Sequence, residues 1–187
     1  MRLLFMIMLL ISSKVFAPVL MNDYKAHSIL YNEALIKHNK TQEYKRFLYD
    51  LGRSESSNDY HRYNKYGYIG RYQFGFAARK LAGFEHITFY DFVNNPSIWP
   101  AEHQDYAMSI LLEKNITELQ DIINQIESGK LVVYAFGKPV TKSGILAGAH
   151  LAGYGGVKRY VHKNRNPRDA FGTSLEQYLY KFSGYDF

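Results

Sequence analysis

Glu55 is the acidic residue whose surroundings best suit catalysis, because it ends a predicted helix and opens a loop rich in tyrosine. The helix is predicted by apolar side chains at i, i+3, i+4 and i+7, namely Tyr44, Phe47, Leu48 and Leu51. A carboxyl group at the junction of a helix end and the core loses water, which disfavours its charged form. Such a group can protonate a glycosidic oxygen as a general acid. Taken alone, the residue is also typical of a solvated glutamate at a helix end.

No second carboxylate stands at a spacing that indicates a shared role. Asp59 follows Asn58 in a pair typical of turns, and Glu85 and Asp91 lie further along the chain. The seven histidines show no metal-ligand spacing and the chain contains no cysteine. The sequence therefore predicts neither a metal site nor a cofactor.

The segment from Glu55 to Gly75 resembles the lytic transglycosylases of the goose-lysozyme-like superfamily. The pattern of that family begins with Glu-Ser and continues, after a loop, with Gly-x-x-Gly, two apolar residues and Gln. The matching residues are Glu55, Ser56, Gly67, Gly70 and Gln73. In place of the usual Leu and Met, this chain has Arg71 and Tyr72.

A second stretch, HLAGYGGV, is similar to the family motif Tyr-Asn-Ala-Gly-x-Gly-x-Val. The matching residues are Ala152, Gly153, Gly155 and Val157, whereas His150 and Leu151 replace the tyrosine and the asparagine. His150 either forms hydrogen bonds in place of the tyrosine or packs in the core. The resemblance covers roughly residues 42–160, and the last helix extends it.

The resemblance implies an enzyme that cleaves the glycan strands of peptidoglycan, with Glu55 as its single acid/base. The residues predicted to line the substrate groove are Ser56, Tyr68, Gly70, Tyr72, Gln73, His150, Gly153 and Tyr154. A lytic transglycosylase needs no second carboxylate, since the substrate's own 6-hydroxyl closes a 1,6-anhydro ring. Two alternatives remain open: a muramidase of the same fold that adds water, and an inactive protein that only binds peptidoglycan.

Helical periodicity dominates the chain, so the predicted fold is mostly α, a lysozyme-like helical domain with a short β-hairpin in LVVYAFGKPVT. A Gly-Lys-Pro turn is predicted for the hairpin. One helix is predicted to begin at Pro100, another at the capping box Thr117-x-x-Gln120, and the last at Thr173-x-x-Glu176. Small side chains predict a central helix over residues 142–152 that a neighbouring helix approaches closely.

The predicted organisation is a signal peptide over residues 1–17, an N-terminal helical extension over 18–40 and the lysozyme-like domain over 41–187. The apolar run Leu3–Ile11 is too short to span a bilayer, which favours export to the periplasm or the outside over stable membrane insertion. Pro18 follows the predicted cut, so an uncleaved end or another cleavage position stays open. A net charge of +6 favours an anionic partner such as cell wall, and no nucleic-acid motif accompanies the charge.

Overall fold

The computed structural model describes residues 42–187. The predicted signal peptide and N-terminal extension lie outside these residues. The described part contains six α-helices, a 3₁₀ turn and one two-stranded antiparallel sheet. In chain order these are α1 (Gln42–Ser56), α2 (Phe76–Leu81), α3 (Phe89–Asn94), the 3₁₀ turn Pro96–Ile98, α4 (Ala101–Glu127), β1 (Tyr134–Ala135), β2 (Lys138–Pro139), α5 (Lys142–Lys163) and α6 (Leu175–Lys181). A mostly α fold with a short β-hairpin is thereby confirmed.

The buried face of α1 is the one that its periodicity predicts. Tyr44, Phe47 and Leu51 are buried. The Phe47 ring lies edge-on to the ring of Phe182, just after α6, at a centroid distance of 6.0 Å. This packing fixes the direction of α1 and hence the place where its last turn delivers Glu55.

The predicted break in the long helix is wrong. Pro100 does precede a helix, but α4 runs without interruption to Glu127. Thr117 lies inside it, and its hydroxyl donates to the carbonyl oxygen of Glu113, four residues back, at 3.0 Å. A threonine bonded in this way satisfies its own hydroxyl and leaves the helix intact.

The hairpin forms where it is predicted, but its turn lies slightly earlier. Phe136 and Gly137 connect the strands and have φ values of 45° and 77°. A two-residue turn with both φ values positive matches the twist of antiparallel strands. Lys138 and Pro139 therefore belong to β2 and not to the turn.

The small residues of α5 predict that a neighbouring helix packs closely against it, and α6 does so. A Cβ atom added at Gly148 would lie 2.7 Å from Leu175 and 2.8 Å from Leu179, both on α6. The helix is longer than predicted, because it continues to Lys163 beyond a kink at Gly153. The capping box of α6 is formed by Ser174 and Gln177, one residue after the predicted pair.

The six helices also bear on membrane insertion. Within residues 42–187, none has the length and apolarity that crossing a bilayer requires.

Candidate active site

Glu55 is the penultimate residue of α1, and its side chain is only 15% exposed. The hydroxyl of Tyr178, on α6, donates to its Oε1 atom at 2.6 Å. The Nε2 atom of His150, on α5, lies 3.7 Å from the same oxygen. Three helices thus converge on one carboxyl oxygen.

The second carboxyl oxygen of Glu55 has a different environment. In residues 42–187, Oε2 accepts no hydrogen bond, and it is not among the polar atoms that are buried without a partner. The side chain as a whole is 15% exposed. Among the described residues, Oε2 is thus the carboxyl oxygen that accepts no hydrogen bond.

The protonation of His150 is partly fixed by its contacts. Its Nε2 atom lies 2.9 Å from the carbonyl oxygen of Tyr72. A carbonyl oxygen can only accept, so Nε2 carries a hydrogen. The side chain is 8% exposed, and its ring lies edge-on to Phe74 at a centroid distance of 6.4 Å. His150 is therefore a packed residue that presents an N–H group close to Glu55.

Ser56 joins the end of α1 to the segment that carries Tyr72. Its hydroxyl donates to the carbonyl oxygen of Arg71 at 2.7 Å and accepts from the backbone N–H of Asp59 at 3.0 Å. Both polar functions are used inside the protein and the residue is buried. Ser56 holds Glu55 against residues 71–73 rather than facing a substrate.

Tyr72 is predicted to line the substrate groove, but the structure buries its side chain in the core. Its side chain is 0% exposed, and its hydroxyl donates to Oδ1 of Asp105 at 2.9 Å. Burial, and then the nearby Asp105 carboxylate, raise the pKa of this hydroxyl. Arg71 completes the group with an ion pair to Asp105 at 3.2 Å. The side chain of Tyr72 therefore belongs to the core, and only its carbonyl oxygen reaches the site, through His150.

Gly70 and Gln73 shape the loop from within. Gly70 has a φ of +77°, and a Cβ atom there would collide with the amide of Gln104. Gln73 has a φ of +50°; its Oε1 atom accepts from Asn64 at 2.8 Å and its Nε2 atom donates to the Gly70 carbonyl at 2.9 Å. These contacts make both residues supports of the loop beside Glu55.

Tyr68, Gly153 and Tyr154 are the predicted groove residues that reach the surface. The two tyrosines are 37% and 39% exposed, and Gly153 is exposed at the kink of α5. Lys158 places its ammonium group 5.4 Å from the centre of the Tyr154 ring. Within residues 42–187, no hydrogen bond or ion pair joins these three residues to Glu55.

Tyr178 is the site residue that the sequence did not identify. Its spacing with Leu175, Leu179 and Phe182 indicates only a buried helix face. A tyrosine on an otherwise apolar face needs a partner for its hydroxyl, and this was the available signal. Burial, and then the negative charge of Glu55, raise the pKa of Tyr178, so its hydroxyl stays a donor.

The described residues show no companion to Glu55 and no metal cluster. Asp169 is near enough to Tyr178 to influence it, but its Oδ1 atom accepts from the backbone N–H groups of Phe171 and Thr173, each at 2.8 Å. In residues 42–187, no three His, Asp or Glu side chains stand together as metal ligands. The carboxyl chemistry of this site rests on Glu55.

A separate depression, the hairpin concavity, lies between β2 and the end of α6 and has a volume of about 520 Å³. Its lining residues are Lys138, Pro139, Thr141, Tyr180, Lys181, Ser183 and Gly184. Glu55 does not line it, so this depression is not the place where the carboxyl group would act.

Comparison of the chain with protein-family models, with curated proteins and with solved structures gives no match.

Proposed function

We propose that this protein is an exported lytic transglycosylase that cleaves the MurNAc–GlcNAc bond of peptidoglycan, with Glu55 as its only acid/base. The observation that carries the proposal is the unequal environment of the two oxygens of Glu55. The Tyr178 hydroxyl donates to Oε1, and the Nε2 atom of His150 lies 3.7 Å from the same oxygen, whereas Oε2 accepts no hydrogen bond from residues 42–187. Because Oε1 already accepts a hydrogen bond, a proton on the carboxyl group is then best placed on Oε2.

The reaction follows from that placement. Glu55 gives the proton on Oε2 to the oxygen that bridges the two sugars, and the bond between this oxygen and C1 of the muramoyl sugar breaks. The carboxylate next takes the proton of the substrate's 6-hydroxyl, whose oxygen bonds to C1 and closes the 1,6-anhydro ring. The substrate's acetamido group assists the departure of the leaving group. In residues 42–187 no carboxylate shares a hydrogen-bond partner with Glu55, which supports this course over one that pairs two carboxylates.

The surroundings support a polymeric, anionic substrate. Tyr68 and Tyr154 offer exposed aromatic faces, and such faces stack on sugar rings. The net charge of +6 favours residence on an acidic wall. Export by the predicted signal segment would bring the domain to its substrate in the periplasm or outside the cell.

Digestion of purified peptidoglycan sacculi, followed by mass spectrometry of the released fragments, tests the proposal. Fragments with 1,6-anhydro ends are expected from the full-length protein. Glu55→Gln removes the proton donor and should lower the release rate by about 100-fold or more. Glu127→Gln, an exposed residue at the end of α4, is the matched control and should leave the rate unchanged.

The fragment masses also separate the alternatives. Reducing ends that contain an added water would indicate a muramidase acting through the same carboxyl group. Sacculi that are bound but not cut, with equal results for Glu55→Gln, would indicate an inactive binding protein. Either result would contradict the transglycosylase proposal.

A further inference from the structure

The hairpin concavity is a cationic depression that the proposed catalysis does not use. Two of its lining residues, Lys138 and Lys181, are basic, and none is acidic. Neither lysine forms an ion pair in residues 42–187. Its volume of about 520 Å³ falls within the range of small-molecule sites, roughly 300–1,000 Å³.

The chemistry of the lining indicates an anion with an apolar group beside it. The Lys138 ammonium lies 4.8 Å from the centre of the Tyr180 ring, and the Lys181 ammonium donates to the hydroxyl of Ser54 at 2.8 Å. Each ammonium has three donors, so both keep donors for a ligand. The rings of Tyr180 and Pro139 supply an apolar wall.

The hydroxyls of Ser183 and Thr141 in the concavity are already engaged. The hydroxyl of Ser183 donates to the Leu179 carbonyl at 2.7 Å and accepts from the backbone N–H of Thr141 at 3.0 Å. The hydroxyl of Thr141 accepts from the backbone N–H of Gly184 at 2.9 Å. The two lysines are therefore the charged groups left to recognise a ligand, with the Tyr180 hydroxyl beside them.

The concavity is connected to the site around Glu55 by α6. Tyr178 and Lys181, three residues apart on that helix, contact Glu55 and Ser54, which are adjacent on α1. Three helical residues advance by about 4.5 Å. An extended peptide advances roughly 3.3–3.6 Å per residue, so a peptide on a sugar held at Glu55 could reach the concavity within a few residues.

We propose that the hairpin concavity binds the carboxylate end of a short peptide with small apolar side chains, the stem peptide of the glycan that Glu55 cleaves. The identity of this peptide rests on the proposed function, because the stem is the part of peptidoglycan that ends in such a carboxylate. The recognition itself rests on Lys138, Lys181 and the Tyr180 ring. It is measurable without any cleavage.

The test is a titration of the ¹⁵N-labelled full-length protein with N-acetyl-D-alanyl-D-alanine, followed by NMR. Saturable shifts are expected at the backbone N–H groups of Lys138, Ser183 and Gly184, with a dissociation constant on the order of 1 mM. The double variant Lys138→Gln/Lys181→Gln should bind about tenfold more weakly. The exposed Lys130→Gln is the matched control and should bind as the wild type does.

The C-terminal amide of the same dipeptide lacks the negative charge and so separates recognition of the carboxylate from nonspecific binding. It should bind about as weakly as the free acid binds to the double variant. Equal binding of acid and amide, shifts confined to other residues, or no shifts up to about 10 mM would overturn the proposal. Glu55 does not line the concavity, so peptide binding and cutting can be measured separately. Peptide binding by a wild-type protein that does not cut would support this site and refute the proposed catalysis. Cutting without peptide binding would do the reverse.

Discussion

The two oxygens of Glu55 have different surroundings, and in the proposed reaction they would have different tasks. Oε1 accepts from the Tyr178 hydroxyl at 2.6 Å, and the Nε2 atom of His150, which donates to the Tyr72 carbonyl, lies 3.7 Å from it. Oε2 accepts no hydrogen bond from residues 42–187, so in the proposed reaction it is the oxygen that would exchange a proton with the substrate. Tyr178 would then position the acid without touching the sugar.

Tyr178→Phe tests this division of tasks. The substitution keeps the ring in the core but removes the donor that orients Oε1. If that hydrogen bond contributes about 1.5 kcal/mol to the active arrangement, release of fragments from sacculi should slow about tenfold. The exposed Tyr49→Phe on α1 is the control and should cut at the wild-type rate. An unchanged rate in a folded Tyr178→Phe protein would contradict the positioning role.

Tyr72→Phe tests the assignment of Tyr72 to the core. The variant loses the hydrogen bond to Asp105 at 2.9 Å, although Asp105 keeps its ion pair with Arg71. The free energy of unfolding, measured in urea, should fall by about 1–2 kcal/mol. The exposed Tyr68→Phe should change it by less than about 0.5 kcal/mol. Weaker binding of sacculi by a fully stable Tyr72→Phe protein would restore the predicted groove role.

Tyr72 and Tyr178 show what single residues reveal in a sequence and what they do not. Motif position predicted a groove role for Tyr72, and helical periodicity predicted only core packing for Tyr178. Periodicity identifies which face of its own helix a residue occupies. It does not identify the side chain met across the fold, and Glu55 lies 123 residues away from Tyr178 in the chain.

Among the elements, α5 has the closest relation to the site because it bends within the second family-like motif. Gly153 has φ 68° and ψ 161°, values outside the helical range. The kink separates the buried His150 from the exposed Tyr154. One helix thereby supplies a packed neighbour of Glu55 and an aromatic surface.

Gly153→Ala should therefore destabilise the protein. Residues with a Cβ atom avoid this combination of φ and ψ at a cost of about 1–3 kcal/mol, even though the space around Gly153 is open. Gly155→Ala is the matched control, since its nearest neighbour is the flexible end of Arg159 at 3.4 Å. That variant should be unchanged or more stable by up to about 1 kcal/mol. Chemical denaturation measures both, and equal stability of the two variants would contradict the requirement for glycine at the kink.

The existence of helices was easier to predict than their ends. The apolar faces of α1, α4 and α6 are all visible in the sequence, because each is a repeat of local spacing. The end signals are less specific, since a Thr-x-x-Gln pair can cap a helix or lie inside one. At Thr117 the carbonyl oxygen of Glu113 was available, so the helix continued. At the start of α6, Ser174 caps the helix instead of Thr173. The reason is equally local, because the backbone N–H of Gln177 donates to the Ser174 hydroxyl at 3.2 Å.

Across the whole described part of the chain, tyrosine hydroxyls join segments that are distant in sequence. Tyr185, beyond α6, donates to Asp50 on α1 at 2.7 Å. Tyr160 on α5 donates to the carbonyl oxygen of Tyr134 in the hairpin at 3.0 Å. Each bond requires a protonated hydroxyl, so the stability of the assembled domain depends on pH in the alkaline range.

The alkaline unfolding of the protein should follow these two hydroxyls. Burial, and then the charge of Glu176, raise the pKa of Tyr160 from 10.0 to about 12. Burial, and then the hydrogen bond to Asp50, raise the pKa of Tyr185 from 10.0 to about 12. The unfolded chain loses these protons near pH 10, whereas the folded chain keeps them until about pH 12. Between these values the folded state binds more protons, so the contribution of these two groups to the free energy of unfolding should be constant below pH 10 and fall as the pH rises toward 12.

Urea denaturation at a series of pH values measures this fall and assigns it. The double variant Tyr160→Phe/Tyr185→Phe should be less stable than the wild type at neutral pH, because two hydrogen bonds are lost. Its stability should nevertheless decline less steeply above pH 10, since two of the protons that distinguish the folded from the unfolded state are gone. Tyr49→Phe, which removes an exposed hydroxyl, should retain the wild-type decline. An identical slope in the double variant would show that other groups cause the alkaline loss, and the two long-range hydroxyl bonds would then have no part in it.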